Sequence, residues 1–296
     1  MADVPGYRVF NVQLAHKREV SPSMLSLVFS GPDVAQMKSD SPDQRIKLLL
    51  PAEDGTPPAL PVEGEWYQTF LATPKERRPI LRTYTLRHVD PVRQEVTVEF
   101  VRHGTEGPAS AWAINASIGD ALQMVAPNAA HAADSGGYEW TPPVGLRNAL
   151  IIADETALPA ARGILEMLAE QVNPPKVQAF FEVPEPGDCA DLTAFEFAEV
   201  HWLPRQPQAA RHGERLISTV KQLARVAETK GAGSVREEAE GELLWDKATS
   251  DSNIFYGWVA AESTVVKRLR RYLIAECGVD QDTINFMAYW AKGRVR

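Results

Sequence analysis

Three short segments of the sequence carry residue types that could bind an anionic or planar ligand. The first is Arg82-Thr83-Tyr84-Thr85, near the end of a segment that reads as a strand. An arginine beside an aromatic residue on one strand can pair with a phosphate while the ring packs against a flat heterocycle. Tetrads this short also recur by chance, so an edge strand with ordinary solvated side chains is the alternative interpretation.

The second segment runs from His103 to Ala113 and contains two glycines. Gly104 and Gly107 would let the backbone approach a ligand closely, and Ser110 could open a helix whose free N–H groups bind phosphate. A lone histidine such as His103 is more often structural than catalytic. The histidines of the chain show no H-x-x-x-H spacing, so the sequence predicts no metal site.

The third segment, Asp154–Ala160, directly follows a short apolar run. A nucleotide-binding fold usually carries its glycine-rich turn at this point, but no G-x-G-x-x-G is present here. Thr156 suits a helix N-cap, and Pro159 suits the first turn of the helix. A well-capped helix alone would explain these two residues, but it would not explain the acidic pair Asp154-Glu155 at the end of a buried strand.

The first half of the chain reads as strands separated by turn residues. Val96, Val98 and Phe100 alternate along the best of them and share one face. The six strand-like segments are Tyr7–Val20, Met24–Ser30, Arg45–Leu50, Ile80–His88, Glu95–His103 and Ala121–Ala126. Six such segments predict a small closed antiparallel β-barrel, with the proline-rich stretch from Pro51 to Pro61 as a surface loop.

The second half alternates strands with helices, which predicts a mostly parallel sheet covered on both faces. The predicted strands are Ala149–Ala153, Val177–Val183, Glu199–Leu203, Asn253–Ala260 and Thr283–Trp290. The predicted helices are one with an apolar stripe from Leu158 to Val172, then Arg215–Glu228 and Val265–Cys277. Lys230–Ser252 is polar and acidic and reads as a mobile loop. The change near Ser135–Gly145 divides the chain into a barrel domain at 1–140 and an α/β domain at 141–296.

Composition narrows the class of protein. The chain has 296 residues and a net charge of −8, which argues against nucleic acid as a partner. It contains no run of about 20 apolar residues and no signal-peptide pattern, so we expect a cytoplasmic protein without membrane insertion. Cys189 and Cys277 cannot supply the four ligands of a 2Fe–2S centre, and nothing in the sequence demands more than a monomer.

Taken together, the motifs resemble those of the siderophore-interacting protein family, a branch of the ferredoxin-reductase-like flavoproteins. R-x-Y-T, a strand ending in H-G, G-P-A-S-x-W-A and D-E-T-A-L-P-A occur in the family's order at Arg82–Thr85, His103-Gly104, Gly107–Ala113 and Asp154–Ala160. Trp258–Glu262 resembles W-x-A-G-E, with Ala261 in place of the glycine, and Tyr289–Gly293 resembles the closing Y-W-x-x-G. The resemblance runs from about Tyr7 to the C-terminus.

This resemblance implies a bound FAD. It places these residues around the cofactor: Arg82, Thr83, Tyr84, Thr85, His103, Gly104, Gly107, Pro108, Ala109, Ser110 and Trp112. It also implies that Asp154, Glu155, Thr156 and Ala157 face the FAD or the incoming nicotinamide. Tyr289 and Trp290 would lie near the flavin, or alternatively in the core, because the pair ends an apolar strand.

The implied activity is reduction of a ferric siderophore, with NADH or NADPH as donor and the flavin carrying the chemistry. Fe(II) is held less well by hard oxygen ligands, so reduction would release the iron. Catecholate and hydroxamate complexes are often anionic, which makes Lys47, Lys267 and Arg268 candidate substrate-binding residues. A solvated charge run is the alternative for the last two. Arg205 could meet a 2′-phosphate, but the nearby acidic residues leave the choice of nucleotide open.

Other functions are compatible with the same fold. A ferredoxin could replace the nicotinamide as electron donor, or the chain could be a general flavin or ferredoxin-type reductase with a different acceptor. A flavin-containing protein that binds a siderophore and hands it on without turnover is the third alternative. The reduction of ferric complexes under anaerobic conditions distinguishes these functions.

Overall fold

The computed structural model describes residues 4–104, 107–206, 208–226 and 243–293. Contacts divide the chain into two compact units, one extending to Tyr138 and the other beginning at Glu139. No helix in the described ranges combines the length and the apolar character that a membrane span requires.

The first unit is a seven-stranded antiparallel sheet with the strand order β4-β3-β7-β1-β2-β6-β5. Its strands are β1 (Tyr7–Ser21), β2 (Met24–Ser30), β3 (Arg45–Leu50), β4 (Ile80–Thr85), β5 (His88–Asp90), β6 (Glu95–Val101) and β7 (Ala121–Pro127). Helix α1 (Trp66–Ala72) lies between β3 and β4 in the chain, and α2 (Pro108–Asn115) lies between β6 and β7. The antiparallel sheet predicted for this half is confirmed.

The predicted count of six strands is wrong, because the segment Ile80–His88 does not form one strand. After β4 the chain changes partners: the N–H of Leu86 donates to the carbonyl of Gln44, and the N–H of Arg87 donates to the carbonyl of Thr97 on β6. The two edge strands, β4 and β5, are therefore joined by only two residues, which requires the sheet to curl. The result is a half-barrel with two edges rather than the closed barrel that the sequence predicts.

Apolar side chains at alternate positions of the strands fill the inside of this half-barrel. Val96, Val98 and Phe100 are fully buried in one cluster, as their spacing predicts. Helix α2 packs onto the same cluster, where Trp112 stacks on Phe29 with 6.0 Å between the ring centroids. The inward face of the sheet thereby fixes the start of α2 relative to β6.

The second unit has a six-stranded sheet with the strand order β10-β9-β8-β12-β13-β11, parallel except at β11. The strands are β8 (Asn148–Ala153), β9 (Lys176–Val183), β10 (Ala198–Pro204), β11 (Trp245–Asp246), β12 (Phe255–Glu262) and β13 (Ile284–Trp290). The helices are α3 (Leu158–Ala169), α4 (Glu214–Leu223) and α5 (Ser263–Arg271). Apolar clusters cover both faces of the sheet, which confirms the α/β architecture.

The helix ends differ from the predictions. Helix α3 stops at Ala169 and leaves Val172 95% exposed, because Pro174 and Pro175 disfavour helical backbone just before them. Helix α4 ends at Leu223, and the last two residues predicted for it, 227 and 228, lie outside the described residues.

Two further segments refine the predictions for the second unit. The helix predicted over Val265–Cys277 is α5 followed by one wider π turn over Tyr272–Glu276. Of the predicted loop Lys230–Ser252, positions 230–242 lie outside the described residues, whereas β11 in its second half pairs with β13.

Candidate functional site

The pleat of β4 divides the residues of the first motif between two faces of the sheet. Arg82 lies opposite Leu48, and Tyr84 lies opposite Ile46, so both share the inward face of the half-barrel. The ring of Tyr84 packs 4.5 Å from that of Phe100. Burial raises the pKa of Tyr84 above its ordinary range, so the hydroxyl stays neutral.

Thr83 and Thr85 point to the opposite face from Arg82. Thr83 is exposed and accepts a hydrogen bond of 2.6 Å from the Nζ of Lys47, its cross-strand partner. Thr85 is buried and lies opposite Arg45. The tetrad is therefore not one continuous ligand surface, and Thr83 belongs with Lys47 rather than with Arg82.

Arg82 retains unused hydrogen-bonding capacity. Its guanidinium is half-buried and donates one hydrogen bond, of 2.8 Å, to the carbonyl of Leu81. Its other N–H groups have no partner in the part of the chain that the structure describes. A partly desolvated guanidinium with free donors suits a phosphate, which accepts them in a fixed geometry.

Ser110, in the first turn of α2, is hydrogen-bonded to the backbone just after β6. Ser110 is buried, and its Oγ donates to the carbonyl of Gly104 at 2.7 Å while accepting the N–H of His103 at 3.3 Å. Gly104 has φ of +83°, and a Cβ there would meet nothing within 4 Å, so its backbone is open to a ligand. Ser110 thus shapes the turn with its side chain.

Among the described residues, no side chain caps the start of helix α2. Its N-cap, Gly107, provides none, and Pro108 occupies the first turn. The backbone N–H groups at the start of this helix are therefore available to an anion. Ala109 is buried at this end, whereas Trp112 turns into the core.

The residues present in the first unit fit FAD. The cofactor carries a diphosphate, and the free donors of Arg82 and the uncapped start of α2 are both diphosphate-binding features. The open backbone at Gly104 adds a place where a ligand can approach without steric conflict.

In the second unit, Asp154 joins the carboxyl ends of three strands. Its carboxylate is fully buried at the end of β8 and accepts hydrogen bonds of 2.9 Å from the N–H of Glu262 and the Nε1 of Trp290. The N–H and the Oγ1 of Thr156 donate to its other oxygen, at 2.9 and 2.5 Å. Both oxygens are therefore saturated by the protein itself, and Asp154 holds the turn in place. Ala157 is buried behind it.

Glu155 belongs to a wider group of charged residues. Arg205 donates to both of its carboxylate oxygens, at 2.7 and 2.9 Å, and reaches Glu182 at 3.3 Å. The imidazole of His212 lies 3.6 Å from carboxylate oxygens of Asp154 and Glu155 and 3.9 Å from Glu182. We call these five residues the carboxylate cluster: Asp154, Glu155, Glu182, Arg205 and His212. Arg205 neutralises Glu155, so the cluster contains a cationic partner for its own carboxylates.

The sequence interpretation did not include Glu182 and His212. Glu182 is fully buried at the end of β9 and accepts the N–H groups of Gly213 and Leu216, at 2.7 and 3.2 Å, at the start of α4. A carboxylate inside the apolar run Ala179–Val183 was the available signal, since a buried charge needs partners. No local pattern marks His212, which reaches the cluster through the position of α4.

Burial and neighbouring charges shift the pKa values within the cluster. Burial and the charge of Glu155 raise the pKa of Asp154 to about 6. Burial alone would raise the pKa of Glu155 too, but the hydrogen bonds from Arg205 outweigh it and lower that pKa to about 2. For His212, burial opposes the charge, but the contacts with Glu155 and Asp154 prevail and raise its pKa.

The cluster predicts a stability that falls as the pH rises past neutrality. A raised folded-state pKa of His212 gives a stabilisation that is complete below its ordinary value of 6.5 and is lost as the pH rises through the folded value. We expect His212→Gln to flatten this part of the profile, measured by urea unfolding between pH 6 and 9. His88→Gln, an exposed histidine, is the control. An unchanged slope in His212→Gln would contradict the prediction.

The two C-terminal aromatic residues have different environments. Tyr289 stacks on Trp245 with 6.0 Å between the ring centroids and meets Trp258 edge-on at 6.1 Å, so it packs with the core of its unit. Trp290 is half-buried at the end of β13, bonded to Asp154 and edge-on to His212 at 5.0 Å.

The candidate substrate-binding residues are divided between the two units. Lys47 lies on the sheet of the first unit, where burial and the nearby charge of Arg45 lower its pKa. Lys267 and Arg268 are exposed on α5 of the second unit. Arg270 of the same run is buried and pairs with Asp246 at 2.6 Å, so this charge run is only partly solvated.

Comparison with known proteins assigns the chain to a family. Residues 13–131 match the family model described as siderophore-interacting FAD-binding domain, and residues 146–293 match the model described as siderophore-interacting protein. This chain belongs to the siderophore-interacting protein family. The resemblance inferred from the motifs is confirmed.

The chain is also similar to named proteins over most of its length. The chain is 25% identical over 287 residues to the ferric vibriobactin reductase ViuB of Vibrio cholerae, covering 96% of this chain and 89% of the relative. It is 26% identical over 274 residues to the NADPH-dependent ferric-chelate reductase of Escherichia coli, covering 92% and 88%. A siderophore utilization protein from T. fusca has a similar crystal structure, with a TM-score of 0.72, 25% identity and coverage of 98% and 95%.

Proposed function

We propose that this protein is an FAD-dependent reductase that converts siderophore-bound Fe(III) to Fe(II), with electrons from NADH or NADPH. The observation that carries the proposal is that the half of the chain that matches an FAD-binding family model also has hydrogen-bond donors suited to a diphosphate. These donors are the guanidinium of Arg82 and the backbone N–H groups at the start of α2. The similarity to two proteins named as ferric reductases supports the choice of acceptor.

In this proposal residues 1–140 form the FAD-binding domain. Arg82 and the backbone N–H groups of Ala109 and Ser110 hold the diphosphate, and Tyr84 lies against the flavin ring. Bound FAD supplies hydride acceptance from the nicotinamide and single-electron transfer to iron. Ser110 positions the backbone of His103 and Gly104 relative to the start of α2 through its two hydrogen bonds.

Residues 141–296 form the nicotinamide-binding domain in this proposal, with the ligand at the carboxyl ends of the parallel strands. Thr156 and Ala157 offer backbone at this edge, and Trp290 borders it. Asp154 and Glu155 act by positioning, since their oxygens are engaged within the protein. A 2′-phosphate would have to compete with Glu155 for Arg205, which makes Arg205 a weak basis for preferring NADPH.

The ferric siderophore, a catecholate or a hydroxamate, is the proposed substrate, and Lys47 is its main cationic contact, with Lys267 and Arg268 as further candidates. Reduction weakens the hold of the hard oxygen donors on the iron, so Fe(II) leaves the chelate. We place this reaction in the cytoplasm, where NADH and NADPH are found, and propose that the chain acts as a monomer. A ferredoxin is the alternative electron donor.

Anaerobic mixing tests the function. We expect NADPH or NADH to bleach the flavin of the purified protein, and the reduced protein to bleach a ferric catecholate or hydroxamate in the presence of a ferrous trap. Reduced protein that leaves the ferric complexes intact but reduces other acceptors would indicate a general flavin reductase. Binding without any reduction would indicate a siderophore-binding protein. If reduced ferredoxin bleaches the flavin and neither NADH nor NADPH does, the electron donor is a ferredoxin.

Lys47→Ala should weaken substrate binding without loss of flavin. Removing one charge-assisted contact costs about 1.5 kcal/mol or more, so we expect KM for an anionic ferric siderophore to rise roughly ten-fold. Lys176→Ala, an exposed lysine at the start of β9, is the matched control and should leave KM unchanged. Flavin content is measured on both variants, and its loss in Lys47→Ala would mean that this residue contacts the cofactor instead.

A further inference from the structure

We propose that α1 is an aromatic platform for the substrate and that it selects ferric catecholates over ferric hydroxamates. The inference rests on the proposed function and deepens it by naming the substrate class. It is carried by the packing of α1, by the exposure of its aromatic residues and by their position on the sheet face that also carries Lys47.

Helix α1 packs on the outward face of the sheet, over residues of β1, β3, β4 and β7. Trp66 and Phe70, one helical turn apart, are half-buried against an apolar cluster on this face. The members of that cluster are Val9, Leu49, Leu60 and Val125, with Leu81 packed beside them. The helix is therefore held by two aromatic anchors, and none of its seven residues is fully buried.

The other side of α1 is an exposed aromatic surface. Tyr67 is 50% exposed, and its ring stacks on Phe70 with 6.1 Å between the centroids and 12° between the planes. The ring of Trp66 meets the ring of Tyr67 edge-on, with 5.4 Å between the centroids, so Tyr67 is held in one orientation. Leu71 beside it is 45% exposed. Across the described residues, the hydroxyl of Tyr67 has no hydrogen-bond partner, so the ring is positioned by ring contacts alone.

Lys47 lies on the same face as this platform. Lys47 is the cross-strand neighbour of Val125, a member of the apolar cluster under α1. Leu49, another member, follows two residues later on the same face, a separation of about 7 Å along the strand. The lysine and the aromatic helix therefore lie on the same face of this sheet.

The cationic character of this face extends beyond Lys47. Arg45 shares the face of Lys47, because it too is two residues away on β3, and its charge lowers the pKa of that lysine. The guanidinium of Arg78 lies over the ring of Phe70, 5.4 Å from its centroid. Lys47, Arg45 and Arg78 are therefore the cationic groups of this region, and the N-cap of α1, Glu65, is an acidic one.

Charge and aromaticity together distinguish the two siderophore classes. A ferric tris-catecholate is a trianion whose iron is enclosed by aromatic rings, whereas a ferric tris-hydroxamate is uncharged at its iron centre and carries aliphatic ligands. Rings that stack on Tyr67 and charges that face Lys47 and Arg45 would use both features of the platform. A hydroxamate would use neither.

The test uses Tyr67→Ala and Tyr67→Phe in the FAD-loaded full chain. Steady-state reduction is measured with the ferric complex of 2,3-dihydroxybenzoate and with ferrioxamine B. We expect Tyr67→Ala to raise KM for the catecholate roughly ten-fold at nearly unchanged kcat, the loss of one stacking contact, and to leave ferrioxamine B unaffected. Tyr67→Phe should retain the wild-type KM. Ile118→Ala, which removes an exposed apolar side chain between α2 and β7, is the control and should leave KM unchanged for both substrates.

Binding of the redox-inert gallium complexes separates this inference from the proposed function. If wild-type protein reduces neither ferric complex, the proposed function fails, but the Ga(III) catecholate should still bind more weakly to Tyr67→Ala, as followed by tryptophan fluorescence. An equal change for catecholate and hydroxamate in Tyr67→Ala, or no change in either, would overturn the platform whatever the turnover shows. Circular dichroism of both variants confirms that the chain is folded.

Discussion

Replacing Arg82 with alanine should yield a folded protein that purifies with little or no flavin. The guanidinium has donors that the rest of the described chain does not use, and in the proposed site they pair with the diphosphate. Loss of two charge-assisted hydrogen bonds costs about 3 kcal/mol or more, which weakens FAD binding by at least two powers of ten. Flavin absorbance after purification and an FAD titration of the apoprotein measure the effect.

Arg93→Ala is the matched control for Arg82→Ala. Arg93 is an exposed arginine in the turn between β5 and β6 of the same sheet and pairs with Glu95 at 3.3 Å. Its removal should leave FAD affinity within a factor of two. Arg82→Lys should recover part of the affinity, because a lysine keeps the charge but loses the paired donors. Full flavin content in Arg82→Ala would show that the diphosphate does not bind at β4.

Replacing Arg205 with alanine should destabilise the second unit strongly. The change would leave Glu155 and Glu182 buried with His212 as their remaining cationic neighbour. Breaking a buried ion pair from one side costs about 3 to 5 kcal/mol, because the remaining charge is uncompensated. Urea unfolding at pH 7, followed by tryptophan fluorescence, measures the loss.

Arg225→Ala provides the contrast for Arg205→Ala. Arg225 also pairs with a glutamate, Glu199, but the two side chains are 71% and 46% exposed. A surface pair of this kind contributes about 1 kcal/mol at most. Similar losses in the two variants would mean that the carboxylate cluster is not the stabilising centre of this unit. Recovery in the double variant Glu155→Gln/Arg205→Ala would support the charge argument.

The carboxylate cluster also explains how a nucleotide-binding type of fold can lack a glycine-rich turn. The turn after β8 is shaped by hydrogen bonds to Asp154 from Thr156 and from the ends of β12 and β13. The side chain of Glu262 caps α5 in the same region by accepting the N–H groups of Thr264 and Val265. Carboxylates thus do the local work that glycine backbone does in the common fingerprint.

The boundaries of most strands followed from sequence alone, because alternation and apolar runs are local properties. Strands such as β6 and β8 are recognisable from their own residues. The break at Leu86 was not, since its cause is a change of hydrogen-bond partner from β3 to β6. Likewise, the end of α3 depended on Pro174 and Pro175, and the apolar stripe extended past it to Val172.

The motifs, in their fixed order, were sufficient to identify the family, and with it the two-part architecture of an antiparallel sheet followed by an α/β unit. They also marked Arg82 and Asp154 as unusual residues. The contacts of these residues became visible only in the folded chain. Arg82 keeps donors that no described residue accepts, whereas Asp154 and Glu155 are engaged by partners up to 136 positions away. Motifs and periodicity are encoded over a few neighbouring residues, but the partners of a buried charge are set by which strand ends and helices meet in space.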